Sequence, residues 1–116
     1  PGSVRGLDAV SAQLRPREVV VTDRCWSFLA TWLLHTRTLP ALDPADIQPK
    51  AELPRARQAH AVLSGSPEGR ALARRLHVRF LLVDPGCSSA NGQPTKPPRL
   101  GRPVFVSRRL VILRLG

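Results

Sequence analysis

Two short apolar runs, each ending at an aspartate, dominate the pattern of hydrophobic and polar positions along the chain. They predict strands over residues 17–23 and 78–84, which end at Asp23 and Asp84. Unbroken apolar runs of this length are typical of strands buried on both faces, as in a parallel sheet covered by helices. Because the carboxyl ends of parallel strands meet at one edge, we expect both aspartates where open α/β sheets bind ligands.

Helical spacing of apolar residues predicts four helices, over residues 4–14, 24–35, 55–63 and 68–76. Asp23 and Ser66 are placed to act as N-caps of the second and fourth helices, and Pro67 suits a first helical position. The side chains expected to face inward in the last two helices are Ala56, Ala59 or His60, Leu63, Leu72 and Leu76.

The rest of the pattern predicts a short strand, a long loop and a hairpin. The strand covers residues 38–42, and a loop rich in Gly and Pro covers residues 85–102. Residues 103–106 and 110–113 flank Ser107-Arg108-Arg109 and predict an antiparallel hairpin with a tight turn. The predicted fold is therefore a small three-layer α/β domain, with a short parallel sheet flanked by helices and a C-terminal antiparallel β-hairpin.

Length and composition indicate one domain. The chain has 116 residues, of which 42% are hydrophobic, and we expect residues 4–116 to form a single α/β domain. Pro1-Gly2-Ser3 resembles a cloning scar, so we expect the chain to be a piece excised from a larger protein. Its longest apolar stretch, residues 26–34, is shorter than the roughly 20 residues that a membrane-spanning helix needs.

The net charge of +10 raises the question of a nucleic-acid partner. Only two of the eighteen Lys and Arg residues are lysine, and the arginines are spread along the chain without interleaved aromatic residues. Single-strand binders combine basic and aromatic side chains, so this pattern disfavours nucleic acid. Anionic lipid headgroups are at least as good a partner for a diffuse basic surface. The arginines assigned to that surface are Arg70, Arg74, Arg75, Arg108 and Arg109.

The two aspartates and a nearby tryptophan are the candidate ligand-binding residues. Asp23 and Asp84 allow a metal or sugar site at the sheet edge, or simply a helix cap and a turn. Trp26 allows stacking on a sugar ring, or packing in the core. Neither a glycine-rich phosphate loop nor a Gly-x-Ser-x-Gly elbow is present, so the sequence indicates no cofactor and no catalytic residue.

The two cysteines allow a disulfide or two independent buried thiols. Parallel packing of the two strands brings Cys25 and Cys87 together, since each follows the aspartate at the end of its strand. A disulfide that closes a loop of about 60 residues stabilises a protein by roughly 4 kcal/mol and indicates a compartment outside the cytosol. Zinc lacks support because the cysteines and the three histidines show no metal-ligand spacing.

Three segments together resemble a known family. They are residues 70–84 (RALARRLHVRFLLVD), residues 103–115 (PVFVSRRLVILRL), and Val19–Asp23 followed by Trp26. They resemble the C-terminal extracytoplasmic domains of multi-pass (GT-C-type) bacterial membrane glycosyltransferases that use polyprenyl-phosphate sugars. The likeness is greatest to the mannosyl- and arabinosyltransferase types of actinobacteria. His77 and Phe80 stand where that family has Gly and Tyr.

The resemblance implies a non-catalytic accessory domain on the extracytoplasmic face of the cell membrane. Such a domain positions a glycan acceptor or braces the membrane enzyme in cell-envelope polysaccharide synthesis. Its partners are the membrane portion of its own parent chain, and cell-wall glycan or anionic lipid headgroups. Two alternatives stay open at this point: a basic nucleic-acid-binding domain, and a free-standing small α/β enzyme that uses the Asp23/Asp84 sheet edge.

Overall fold

The computed structural model of the chain describes residues 2–26, 38–41, 53–87 and 97–116. Within these residues lie three helices and five strands. In chain order they are α1 (Gly2–Gln13), β1 (Val19–Asp23), β2 (Thr38–Ala41), α2 (Leu53–Leu63), α3 (Pro67–Arg75), β3 (Val78–Val83), β4 (Arg102–Val106) and β5 (Val111–Arg114). Most of the predicted helix 24–35 and much of the predicted loop 85–102 lie outside the described residues.

The five strands form one mixed sheet in the order β2-β1-β3-β5-β4. β1 pairs parallel with β2 on one side and with β3 on the other, with Val21 opposite Leu81. β5 pairs antiparallel with both β3 and β4, so the C-terminal hairpin extends the parallel part of the sheet. The predicted parallel pairing of 17–23 with 78–84 and the predicted antiparallel hairpin are therefore confirmed.

Helices cover both faces of the sheet, which confirms the three-layer α/β fold. On one face, Val21 and Leu81 pack in a cluster with Ala59 and Val62 of α2. On the other face, Val20 packs with Phe80, Leu82, Ile112 and two residues of α1, Leu7 and Val10. Neighbouring residues of a strand point to opposite faces, so β1 and β3 supply apolar side chains to both cores. This double burial explains why their sequences are uninterrupted apolar runs.

The packing of α3 differs from the sequence prediction. Leu72 and Leu76 were expected to be buried, but both are half-buried, and the buried residues of the helix are Gly69 and Ala73. A Cβ on Gly69 would overlap the carbonyl oxygen of Ala61 in α2. The two helices thus approach through small residues, whereas Leu72 and Leu76 pack against the core from its rim.

Helix α3 begins as the sequence predicts, with Ser66 as its N-cap and Pro67 as its first residue. The hydroxyl oxygen of Ser66 accepts a hydrogen bond from the Gly69 N–H at 3.0 Å.

In α2 the buried stripe consists of Ala56, Ala59 and Val62, whereas Leu63 is half-buried and His60 is exposed. Leu63 faces inward as predicted, since it packs against the core from its rim, but the fully buried residue of this turn is its neighbour Val62.

Strand β4 forms one edge of the sheet and is mostly exposed. Its side chains Val104 and Val106 are 46% and 68% exposed. The register with β5 shifts between Pro103 and Phe105. Only Phe105 turns inward, where it packs against the core on the α1 side.

The close contact of α2 and α3 yields a stability prediction. Gly69→Ala should lower the free energy of unfolding by about 1–3 kcal/mol, because the new methyl group meets a backbone oxygen that cannot move alone. Gly6→Ala in α1 is the matched control, since the atoms nearest to its Cβ would belong to the Ile112 and Phe105 side chains, at 3.1 Å, and side chains can shift. Helix propensity should offset that crowding, leaving stability within about 1 kcal/mol of the parent. Urea denaturation measures both, and equal effects would contradict the packing described.

Candidate functional site

The carboxyl ends of β1 and β3 meet where ligands usually bind in open α/β sheets. β2 and β3 lie on opposite sides of β1, so the chain order reverses across β1 and a crevice is expected beyond its end. Asp23 is the last residue of β1, and Asp84 directly follows β3. The two residues are hydrogen-bonded to each other at this edge, as expected of neighbours there, and are only 2% and 3% exposed.

The carboxylate of Asp23 is occupied by backbone donors. Its Oδ2 accepts a hydrogen bond from the Asp84 N–H at 2.6 Å, and its Oδ1 accepts one from the Trp26 N–H at 3.0 Å. The first bond ties the end of β3 to the end of β1. The second joins residues three positions apart, which is the spacing of an N-cap. Helix capping was the alternative to ligand binding that the sequence offered for Asp23.

The carboxylate of Asp84 organises the turn after β3 and faces the hairpin. Its Oδ1 accepts a hydrogen bond from the Gly86 N–H at 2.7 Å. Its Oδ2 lies 3.4 Å from the Nε of Arg109, whose side chain is 77% exposed. An ion pair with such an exposed partner contributes at most about 1 kcal/mol, so Arg109 steadies this carboxylate weakly.

Burial raises the pKa of the Asp23 carboxyl above its ordinary value of 3.8. The negative charge of Asp84 acts in the same direction, because it disfavours a second charge nearby. Hydrogen bonds from the backbone N–H groups of Asp84, Trp26 and Cys25 favour the carboxylate but do not outweigh burial. Asp23 is therefore held in a place where its charge costs stability.

Cys25 and Cys87 form a disulfide across the same edge, which confirms the sequence prediction. Their Cα atoms lie 6.0 Å apart and the residues are 62 positions apart in the chain. The ligand atoms of Asp23, Cys25 and Cys87 all lie within 4.8 Å of one another, the spacing of a possible metal site. With the two sulfurs bonded to each other, the Asp23 carboxylate is the only one of these three ligands left for a metal ion.

Trp26 belongs to the frame of this edge. The residue is half-buried and packs against the core on the α1 side. Its indole Nε1–H donates a hydrogen bond to the carbonyl oxygen of Arg109 at 2.9 Å. The ring thus connects the turn after β1 to the turn between β4 and β5.

The arginines proposed as one diffuse surface are spread over both edges of the sheet. Arg109 lies at the carboxyl edge beside Asp84, whereas Arg70 and Arg74 of α3 line the opposite edge. β3 has six residues, so at about 3.3 Å per residue the two edges are roughly 20 Å apart. Arg75 and Arg108 are exposed.

A second concave surface, which the sequence reasoning missed, lies at the amino edge of β1 and β3. This cleft has a volume of about 640 Å³ and is lined by Arg15, Arg17, Arg79 and His77 in addition to Arg70 and Arg74. The signal was present: Arg-Pro-Arg-Glu precedes the first strand, and His77 and Arg79 flank the first residue of the other. Parallel pairing brings the starts of β1 and β3 together, just as it brings together the aspartates at their ends.

Comparisons with protein families, with curated proteins and with solved structures found no match for this chain. None of the helices in the described ranges has the length and apolar character that crossing a membrane requires.

The disulfide makes a direct stability prediction. The double variant Cys25→Ser/Cys87→Ser should lose up to about 4 kcal/mol of unfolding free energy, because the unfolded chain regains the freedom of a long loop. Urea denaturation measures the loss. The parent protein in dithiothreitol should match the double variant, and a parent protein that reductant leaves unchanged would contradict this account.

The raised pKa of Asp23 makes a prediction about pH. Between pH 3.8 and its pKa in the fold, the folded protein binds more protons at Asp23 than the unfolded chain, so this residue lowers stability as pH rises. Asp23→Asn removes that titration and turns one acceptor into a donor, which should cost about 1–3 kcal/mol. The stability advantage of the parent over Asp23→Asn should therefore be largest in acid and shrink as pH rises. Urea denaturation over a pH series measures it, and an advantage that grows with pH would be inconsistent with the burial described.

Proposed function

We propose that this chain is a non-catalytic, extracytoplasmic accessory domain of a membrane glycosyltransferase. Its role is to position a glycan acceptor or brace the membrane enzyme in cell-envelope polysaccharide synthesis. The observation that carries the proposal is the closure of the carboxyl edge of the sheet. Asp23, Asp84 and the disulfide fill the place where an α/β enzyme of this topology would bind its substrate.

The state of the two carboxylates supports a non-catalytic role. A general acid, a general base or a nucleophile needs an oxygen within hydrogen-bond distance of a substrate atom. Both oxygens of Asp23 already accept backbone hydrogen bonds, and the residue is 2% exposed. Asp84 holds its own turn and faces Arg109. The free-standing enzyme that uses this edge is therefore the weaker interpretation.

The disulfide supports a location outside the cytosol. Cytosolic glutathione and thioredoxin keep thiols reduced, whereas exported domains retain disulfides. The bond between Cys25 and Cys87 is built into the frame of the domain, because it joins the turns that follow β1 and β3. A stabilising bond at this position is expected in a protein that works in an oxidising compartment.

The conformation of His77 is consistent with the family resemblance. Its φ of 59° lies in the left-handed region, which glycine adopts at the lowest cost. The resembled segment carries glycine at the position of His77. A shared backbone turn with an exchanged side chain accounts for that difference without a change of fold.

Cell fractionation with an antibody against this domain tests the proposal. In the source organism, the antibody should detect a membrane-bound protein much larger than 12.7 kDa. Protease added outside intact spheroplasts should destroy the epitope while a cytosolic marker survives. Thiol blocking in intact cells, before lysis, should leave Cys25 and Cys87 unlabelled unless reductant is added first.

A cytosolic protein of the size of this chain, with both cysteines labelled, would refute the proposal. A chromosomal Cys25→Ser/Cys87→Ser variant is the matched control for the labelling step, because it cannot react at either position. Loss of signal in that variant identifies the labelled sites unambiguously.

A further inference from the structure

The cleft at the amino edge of the sheet is distinct from the carboxyl edge and has the dimensions of a ligand site. Its volume of about 640 Å³ falls within the range of about 300–1,000 Å³ that small-molecule pockets occupy. The turn before β1 forms one wall, and α3 with the start of β3 forms the other. Buried apolar residues supply part of its lining: Ala73, Val78 and Leu115.

The charge of this cleft is strongly positive. Five arginines and His77 line it, and Glu18 is the only acidic side chain in its lining. Glu18 is already engaged, since its Oε1 accepts a hydrogen bond from the Arg15 N–H and its Oε2 lies 3.7 Å from the Nε of Arg79. The cleft therefore combines excess positive charge with partly apolar walls.

Among the described residues, two of the five arginines of the cleft have hydrogen-bond or ion-pair partners on their guanidinium groups, and the other three do not. Arg79 is held by Glu18 and by the carbonyl oxygen of Leu115 at 3.1 Å. Arg70 donates to the carbonyl oxygen of Arg99 at 3.0 Å. In the part of the chain that the structure describes, the guanidinium groups of Arg15, Arg17 and Arg74 make no hydrogen bond or ion pair. These three side chains have their donors free for a ligand.

The backbone of the cleft is strained at two places. Arg17 and His77 have φ values of 73° and 59°, and they are the non-glycine residues with positive φ among the described ones. The carbonyl oxygen of His77 accepts a hydrogen bond from the Val19 N–H at 2.9 Å, so the two strained turns support each other. Strain of this kind clusters at ligand-binding sites, where it fixes the position of a side chain or backbone group.

We propose that this cleft binds a phosphate-bearing ligand, with Arg15, Arg17 and Arg74 contacting its phosphate groups. The planar guanidinium fork matches two oxygens of a phosphate, and three such groups around one cleft suit a ligand with more than one negative charge. Nucleic acid fits less well, because within the described ranges no Phe, Tyr or Trp side chain lines the cleft and His77 is its only aromatic ring on which a base could stack. The proposal does not rest on the glycosyltransferase assignment and survives its failure.

Titration calorimetry with inorganic pyrophosphate at about 150 mM salt tests the site. The parent protein should bind one pyrophosphate saturably. Arg15→Ala/Arg74→Ala should weaken binding at least about 10-fold, because it removes two charge-assisted contacts. Arg5→Ala/Arg108→Ala is the matched control: it removes the same charge from exposed residues that do not line the cleft, and should change affinity less than about 2-fold.

A single variant separates binding from stability. Arg17→Gly removes one guanidinium and relieves a left-handed backbone, so it should weaken pyrophosphate binding several-fold without lowering the melting temperature. Amide chemical-shift mapping on the parent protein locates the ligand without any substitution. The largest shifts should fall at Arg17, Arg74 and His77, and those of Asp84 and Arg109 should not move.

Vesicles distinguish the two sources of the phosphate. Phosphatidylcholine vesicles that contain phosphatidic acid should displace pyrophosphate if the ligand is a lipid headgroup, and should leave it bound if the ligand is soluble. Either result supports the site. Equal weakening in both double variants, an unchanged affinity of Arg17→Gly, or no saturable binding of either probe would overturn it. So would tight binding of a single-stranded oligonucleotide by a protein that ignores pyrophosphate.

Discussion

The parallel pairing of β1 with β3 is the contact on which the rest of the structure depends. It joins segments about 60 residues apart, and the entropy of closing so long a loop opposes it. Both ends of the pair are reinforced: at one end by the Asp23–Asp84 hydrogen bond and the disulfide, at the other by the hydrogen bond from Val19 to His77. Both cores assemble on this pair, because its side chains reach both faces of the sheet.

The sequence was sufficient to predict those features that follow from strand polarity. Apolar runs with an aspartate and a cysteine after each predicted a parallel pair, a shared edge and a disulfide, and the structure has all three. The burial pattern of α3 was not predictable in this way. It depends on how closely α2 approaches Gly69, and the distance between two helices is set by both surfaces together, not by the periodicity of either.

The role of the aspartates could not be predicted either, for a different reason. A ligand-binding carboxylate and a capping carboxylate require the same residue at the same place in the chain. They differ only in whether a backbone N–H already occupies the oxygen, as the Trp26 and Asp84 amides do at Asp23. The basic cleft could not be predicted because its arginines are scattered along the sequence. They form one charged surface only when β1 pairs with β3.

The two edges of the sheet differ in the kind of side chain that they carry. Its carboxyl edge holds two buried carboxylates and a disulfide, and its amino edge holds a ring of arginines about one strand length away. The first edge stabilises the fold, and the second carries an excess of positive charge.

Strand β4 has a consequence for the behaviour of the chain in concentrated solution. An edge strand with exposed valines is a template on which another chain can add a strand during folding, which is the first step of β-type aggregation. Pro103 has no N–H to offer, and the register shift beside it interrupts the regular ladder. Both features shorten the regular stretch of β4 on which an added strand could pair. The sequence of β4 thus opposes self-association at this edge of the sheet.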